Sequence, residues 1–254
     1  MKFLVFKKRT LLFLSCILLV CIMLSFNIVG NSSASVYFGQ VPRLVPIYQV
    51  DVPDKKIAIT FDSAWGADKT LKILELLKEY NVNATFFLVG FWVDKYPDMV
   101  KAINNQGVEI GTHSNTHPDF VTLGADQMKL ELTTSVEKIE AITGKKVELF
   151  RAPYGSYNNA VINTANSLNL KTIQWSVDTL DWKGLSGSQM LNRVLDKIGN
   201  GGIILCHNNS DNILDGLKLI LESLTKKGYT FVSVGDLIYK DNYKIDNLGI
   251  QRKN

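Results

Sequence analysis

The chain is predicted to be an α/β protein: a parallel sheet wrapped by helices and curled into a barrel of about seven strand–helix units. Three observations carry that prediction. Short β-rich runs alternate with stretches of helical periodicity over most of the chain. The β-rich runs are fewer than an eightfold barrel needs. Ionisable residues recur just where an apolar run ends, the edge at which parallel α/β folds carry their chemistry. A doubly wound open sheet is the alternative topology.

From the N-terminus, Lys2, Lys7, Lys8 and Arg9 precede a mostly apolar run over residues 11–29. At about 1.5 Å per helical residue that run nearly spans a bilayer core of about 30 Å. Ser32, Ser33 and Ala34 follow, so residues 1–34 fit either a secretory signal cut after Ala34 or a retained N-terminal hydrophobic anchor helix. In both cases the positive-inside rule places residue 35 onward outside the cytoplasm, membrane-anchored or secreted. Residues 35–56 are a lead-in punctuated by Pro42, Pro46 and Pro53, with an apolar stretch at 47–50 suited to an edge strand. Strands are then expected over 57–61, 84–89, 108–112, 148–151, 172–176, 202–206 and 230–234, where β-branched and aromatic residues cluster. Between them, helices are expected around Leu71, Leu74 and Leu77, around Met99, Ala102 and Ile103, and over 130–142, 161–168, 190–198 and 213–224. Residues 57–240 thus form one domain, and the polar tail 241–254 is expected to fray.

The net charge of +4 misleads. Four of the 28 basic residues lie in the first 34 positions, which hold no acid, leaving 24 basic against 24 acidic residues beyond them. A neutral domain lacks the basic face that a phosphate backbone asks for, so nucleic acid is excluded as a partner, and nothing points to a protein partner. Cys16 and Cys21 fall in the apolar run and lack the context of a lipid-attachment site, which leaves Cys206 without an internal disulfide partner.

All three histidines sit in two short motifs, His113 and His117 in GTHSNTHPDF and His207 in IILCHNN. Imidazole is the side chain best suited to ligating a divalent metal or moving protons near neutral pH. The spacing of His113 and His117 lets a helical turn or tight loop aim both rings one way; capping by two polar loop residues is the plain alternative. Asp62 follows ITF, His113 follows EIGT, Arg151 follows ELF, Asp178 and Asp181 follow IQWSV, and His207 follows IILC. Each has an ordinary structural explanation alone, such as a helix cap, a surface ion pair or a satisfied core histidine. Five strands delivering such groups to one rim are not explained by five separate accidents. Cys206 is not read as a nucleophile, because strand alternation turns it away from His207.

Together, TFDS (60–63), HSNTH (113–117), RAPYG (151–155), DTLDW (178–182) and LCH (205–207) resemble, in order, the motifs of the NodB-homology polysaccharide deacetylases, carbohydrate esterase family 4. The resemblance covers roughly residues 50–240. TFDSAWG, the short N-terminal segment and the small size look most like the sporulation-associated, PdaB-like branch. That resemblance implies the distorted (β/α)7-type barrel of the glycoside hydrolase–deacetylase fold. It implies hydrolysis of N-acetyl groups on an aminosugar polymer, with cell-wall peptidoglycan as the expected partner and the forespore or spore envelope as the setting. It also implies roles. His113 and His117 would hold a divalent metal, most often zinc. Asp62 would be the general base, paired with Arg151. The backbone N–H of Tyr154 would stabilise the oxyanion. His207, backed by Asp181, would protonate the leaving amine. Trp182 and Leu205 would wall the acetyl methyl, while Asp178 receives no role.

One position departs from the pattern. The family has a second aspartate after the base as third metal ligand, and here it is Ser63. A hydroxyl is a poor ligand for a dication, so weaker zinc binding is expected. Three outcomes follow: Ser63, water or another carboxylate completes the sphere; Asp62 itself becomes the ligand; or the metal site is lost and a membrane-tethered glycan-binding protein remains. A further alternative keeps the catalysis but exchanges the amide for an O-acetyl ester. Arg151, Asp181 and His207 have little purpose in a pure binder, which favours an enzyme.

Overall fold

The computed structural model describes residues 15, 17–19 and 42–254. The expected signal or anchor over 1–34 and its cut after Ala34 lie outside the described residues, apart from a helical conformation at residues 15 and 17–19. Among the described residues no helix is long and apolar enough to cross a membrane.

Residues 43–254 form one compact unit built on strand β2 (Lys56–Ser63), of which every residue but the first is buried. Burial on both faces explains why this run reads as near-continuous apolar sequence. On one face Ile57, Ile59 and Phe61 pack under the helices, against Ile73 and Leu77 of α1 (Thr70–Glu79) and Leu217 and Leu221 of α7 (Ile213–Lys226). On the other, Ala58 joins Phe87, Leu149, Ile173 and Ile203 in a smaller core inside the curled sheet. Alternation therefore continues that inward set to Thr60 and Asp62, so the inner face turns from apolar to hydroxyl to carboxylate as the strand climbs to the rim.

Around β2 stand β3 (Thr85–Leu88), β4 (Glu109–Thr112), β5 (Leu149–Phe150) and β6 (Lys171–Thr172) on one side. On the other stand β8 (Ile203–His207) and then β7 (Val177–Asp178). The order is β6-β5-β4-β3-β2-β8-β7, with β9 (Thr230–Phe231) added at the start of β2, and every pairing is parallel. The sheet is thus a curled half-barrel. The covering helices are α2 (Gly90–Lys95), α3 (Pro97–Asn105), α4 (Ala125–Thr143), α5 (Asn159–Ser167), α6 (Gly187–Lys197) and the short α8 (Val234–Leu237), beside α1 and α7.

Two expectations need correction. The single strand expected over 172–176 is split: β6 ends at Thr172, and the chain pairs again only at Val177. The lead-in fills the gap. Ile47 bridges Ile173, Gln49 bridges Gly202, and Val50 N–H donates to the Gly201 carbonyl at 3.0 Å. Nor does the tail fray. Residues Tyr243–Ile245 (β10) and Ile250–Lys253 (β11) form an antiparallel hairpin whose second strand pairs in parallel with β1 (Gln49–Val50). The tail looks polar because it is half-exposed, and its pairing partner lies at the far end of the sequence.

Candidate active site

The strand ends of β2, β4, β5, β7 and β8 converge on a cleft of about 720 Å³ lined by Asp62, His113, His117, Tyr154, Asp178, Asp181, Trp182, Leu205 and His207. Every residue expected at the site lines this cleft except Arg151 and Ser63.

Arg151 lies below the cleft floor, fully buried. Its Nη1 donates to Asp62 Oδ1 and to Thr60 Oγ1, both at 2.8 Å, and Nη2 donates to the Gln174 carbonyl at 3.1 Å. The guanidinium lies 4.2 Å from the Phe87 ring centroid, a cation–π contact strengthened by the absence of water. Burial alone would raise the Asp62 pKa, but the Arg151 charge and hydrogen bond, with help from the histidines, outweigh it and hold the carboxyl below its ordinary range.

Across the rim, His207 pairs in register with Asp62 on the neighbouring strand. Its Nδ1 donates to Asp181 Oδ1 at 2.8 Å, and its backbone N–H donates to Oδ2 of the same carboxylate at 2.6 Å. Desolvation disfavours the charged imidazole, yet the hydrogen bond and charge of Asp181 exceed it, and the His207 pKa is raised. Asp178, for which the sequence offered no role, shapes the turn that delivers Asp181. Its Oδ1 accepts the Leu180 N–H at 2.8 Å, and Leu180 is held in the left-handed region at φ 53°.

His113 and His117 meet on a loop rather than a helix. Their ring centroids are 4.9 Å apart, a placement made by positive φ at Ser114 (73°) and His117 (60°). Tyr154 adopts a third such conformation, at φ 60°, and its ring lies 4.7 Å from that of His117. Backbone strain in several non-glycine residues around one cleft is a mark of function. Burial pushes the His113 pKa down. It also pushes His117 down, to about 4, with the neighbouring His113 adding to the effect. Both shifts favour the neutral ring.

Neutral, oriented imidazoles are what a divalent cation requires. His113 Nδ1 lies 2.7 Å from the Arg151 carbonyl. A carbonyl only accepts, so Nδ1 carries the proton and Nε2 keeps its lone pair, 3.6 Å from Asp62 Oδ2. His117 Nδ1 is buried without a hydrogen-bond partner. The two histidines therefore fit a metal. The anionic share of the donor set is thinner: among the described residues no group of three His, Cys, Asp or Glu side chains is arranged to hold a metal ion. Ser63 offers a neutral hydroxyl in place of an anion, and its Oγ is buried without a hydrogen-bond partner.

Cys206 is buried among the outer apolar residues, with its thiol pKa raised well above the ordinary value by burial, as expected for a packing residue. Sequence reasoning missed Trp65, Trp175 and Asn209 in the cleft wall. Only Trp65, inside the SAWG stretch, carried a signal, an aromatic beside a turn glycine.

Comparison with known proteins agrees with this geometry. A family profile described as "Polysaccharide deacetylase" matches residues 49–173. A peptidoglycan-N-acetylglucosamine deacetylase of Bacillus cereus is 36% identical over 183 residues, covering 70% of this chain and 66% of that one. The peptidoglycan-N-acetylmuramic acid deacetylase PdaA of Bacillus subtilis is 33% identical over 205 residues, covering 79% and 78%. The chain spans less than two thirds of the length of the first relatives it matches, 60% of one and 66% of another. Among solved structures, wild-type BA3943 of Bacillus anthracis, described as a CE4 family pseudoenzyme, superposes with a TM-score of 0.74 at 36% identity, covering 76% of this chain and 68% of that one. A BA3943 mutant described as having restored enzymatic activity superposes equally well, with a TM-score of 0.74 at 37% identity, covering 76% and 71%.

Proposed function

Because the chain belongs to the polysaccharide deacetylase family of enzymes, we propose that it is a metal-dependent hydrolase removing N-acetyl groups from an aminosugar polymer, the peptidoglycan of the cell wall. One observation carries the reading. At one level of two neighbouring strands, a carboxylate backed by an arginine and a histidine backed by a carboxylate open onto the same cleft. Two titratable groups whose surroundings push them apart in this way divide the work of base and acid.

Asp62, ionised, takes a proton from the attacking water, and Arg151 keeps its carboxylate aimed. The backbone N–H of Tyr154 stabilises the developing oxyanion, while Trp182 and Leu205 seat the acetyl methyl. His207 then delivers its proton to the nitrogen as the C–N bond breaks, releasing acetate and leaving a free amine. His113 and His117 would hold a divalent cation, zinc by preference, whose Lewis acidity would polarise the acetyl carbonyl and lower the pKa of the attacking water. The names of the relatives support peptidoglycan as the polymer. The basic and apolar N-terminal residues support an extracytoplasmic site of action, anchored or secreted. The resemblance to the sporulation branch supports the spore envelope as the setting.

One observation favours a second reading. Ser63 offers no anion to a metal, and a similar fold is described as a pseudoenzyme, which suits a protein that binds glycan without cleaving it. Acetate release from peptidoglycan, with added zinc and with chelator, separates the two. Metal-dependent release supports the hydrolase, and no release under either condition supports the binder. In the hydrolase, Asp62→Asn and His207→Ala each lower kcat/KM by about 100- to 10,000-fold, the usual worth of general acid–base groups; in the binder neither change affects glycan affinity.

A further inference from the structure

Trp65 is a large aromatic left 58% exposed at the cleft wall, and its loop is unusually well fixed for so exposed a side chain. The carbonyl of the next residue, Gly66, accepts the indole N–H of the buried Trp92 at 2.6 Å and the amide of buried Asn208 at 3.0 Å. Gly66 itself sits at φ +62°, and a Cβ there would press on Asn209 Cβ and Asp68 Oδ1, each at 3.3 Å. The tryptophan is thus presented by a turn anchored to the core. Nor is it packed away by its neighbours. Its ring lies 5.0 Å from His117 at an interplanar angle of 63° and 6.3 Å from Phe91 at 49°, so neither stacks on it. Trp182 is also 58% exposed, but Lys183 Nζ covers its ring at 4.9 Å.

Position distinguishes the two tryptophans further. Trp65 lies beside residues that follow β3 and β4, and Trp182 follows β7, so they stand on opposite flanks of the strand carrying Asp62. A pyranose ring has one apolar C–H face and a polar edge. An open indole on an anchored turn, in a cleft also lined by Asn209 and Asp211, offers partners for both parts at little ordering cost on binding. We infer that Trp65 is a stacking platform for a sugar next to the one that loses its acetyl group. It makes the site read a polymer rather than a single aminosugar. This rests on the glycan reading above.

Calorimetric titration of the full chain in chelator, where turnover is absent, tests it with tetra-N-acetylchitotetraose and with N-acetylglucosamine. Trp65→Ala is expected to weaken the tetrasaccharide about tenfold, about 1.4 kcal/mol, and to leave the monosaccharide unchanged. Trp65→Phe is expected to retain most of the affinity. With metal supplied, KM on polymer rises while kcat stays within about twofold, the pattern of lost uniform binding. Unchanged tetrasaccharide affinity in Trp65→Ala overturns the proposal while leaving the glycan reading intact. So does a loss of zinc affinity alone, which would make Trp65 a shield for His117. No tetrasaccharide binding by the unsubstituted chain overturns both readings.

Discussion

At the scale of single residues, the cleft is a set of charges held by partners that the solvent cannot replace. The consequence for pH is directional. The Asp62 pKa is lowered in the folded chain, so its pairing contributes stability above the ordinary carboxylate range, lost as pH falls through the depressed value. The His207 pKa is raised, so its pairing contributes fully below the ordinary histidine value and is lost as pH rises through the elevated one. With the proposed roles of base and acid, kcat/KM is expected to fall on the acid side as Asp62 protonates and on the alkaline side as His207 deprotonates. Asp181→Asn removes the charge that lifts His207, so the alkaline limb of the pH–rate profile shifts toward lower pH; an unmoved limb would exclude His207 as the acid. Ser63 gives a second residue-scale prediction. An aspartate there would be a carboxylate at a buried position where the Ser63 hydroxyl finds no hydrogen-bond partner, which costs stability until a cation arrives. Ser63→Asp is therefore expected to lower the melting temperature in chelator and to gain more from zinc than the unsubstituted chain does, by the linkage of metal binding to folding. Differential scanning fluorimetry with and without zinc reads both effects.

At the scale of elements, alternation was read in one place, where it turned Cys206 away from His207, and the structure shows the same rule along β2, with Ala58, Thr60 and Asp62 alternating with Ile57, Ile59 and Phe61. Strand ends carrying Asp62, His113, Arg151, Asp181 and His207 were legible because a parallel sheet gathers its C-terminal ends. The break between β6 and β7 was not legible. Thr172, Ile173, Gln174, Trp175 and Ser176 have the composition of one strand, and β6 ends where Ile47 bridges Ile173. No local pattern encodes a seam filled by a segment more than a hundred residues away. Left-handed backbone at Tyr154 and Leu180 was equally invisible, because their side chains normally avoid it. The seam also yields a paired prediction. Gly201 sits at φ +71° with space for a Cβ occupied by the Val50 carbonyl oxygen, whereas Gly228, at φ +81°, has nothing within 4 Å. Gly228→Ala should cost about 1 kcal/mol of left-handed strain. Gly201→Ala carries that strain and also forces the lead-in off the seam, so at least about 2 kcal/mol more is expected. Urea melts of the two variants check the difference.

At the scale of the whole molecule, the fold is fastened by its two ends. Val50 and Gln251 are both fully buried where β1 and β11 pair. The Gln251 side chain donates to the Tyr239 carbonyl at 2.8 Å and accepts its N–H at 2.9 Å. Removing residues 243–254 uncovers Val50 and takes the Gln251 side chain from the backbone N–H and carbonyl of Tyr239. The urea midpoint is expected to fall by an amount worth at least about 2 kcal/mol, the contribution of one buried aliphatic side chain. The same fastening sets an order in time. The segment that plugs the half-barrel is the first part of the domain to be made, and its partners at Ile173, Gly202 and Ile250 are made progressively later. Pairings so distant along the chain form slowly, because the closing entropy precedes any gain in contacts. A growing chain therefore carries Ile47 without its partner until residue 173 has been made, and Val50 until residue 251 has followed. Closure of the seam becomes a late event, and a protease present during that interval would select against chains in which β11 has not yet paired with β1.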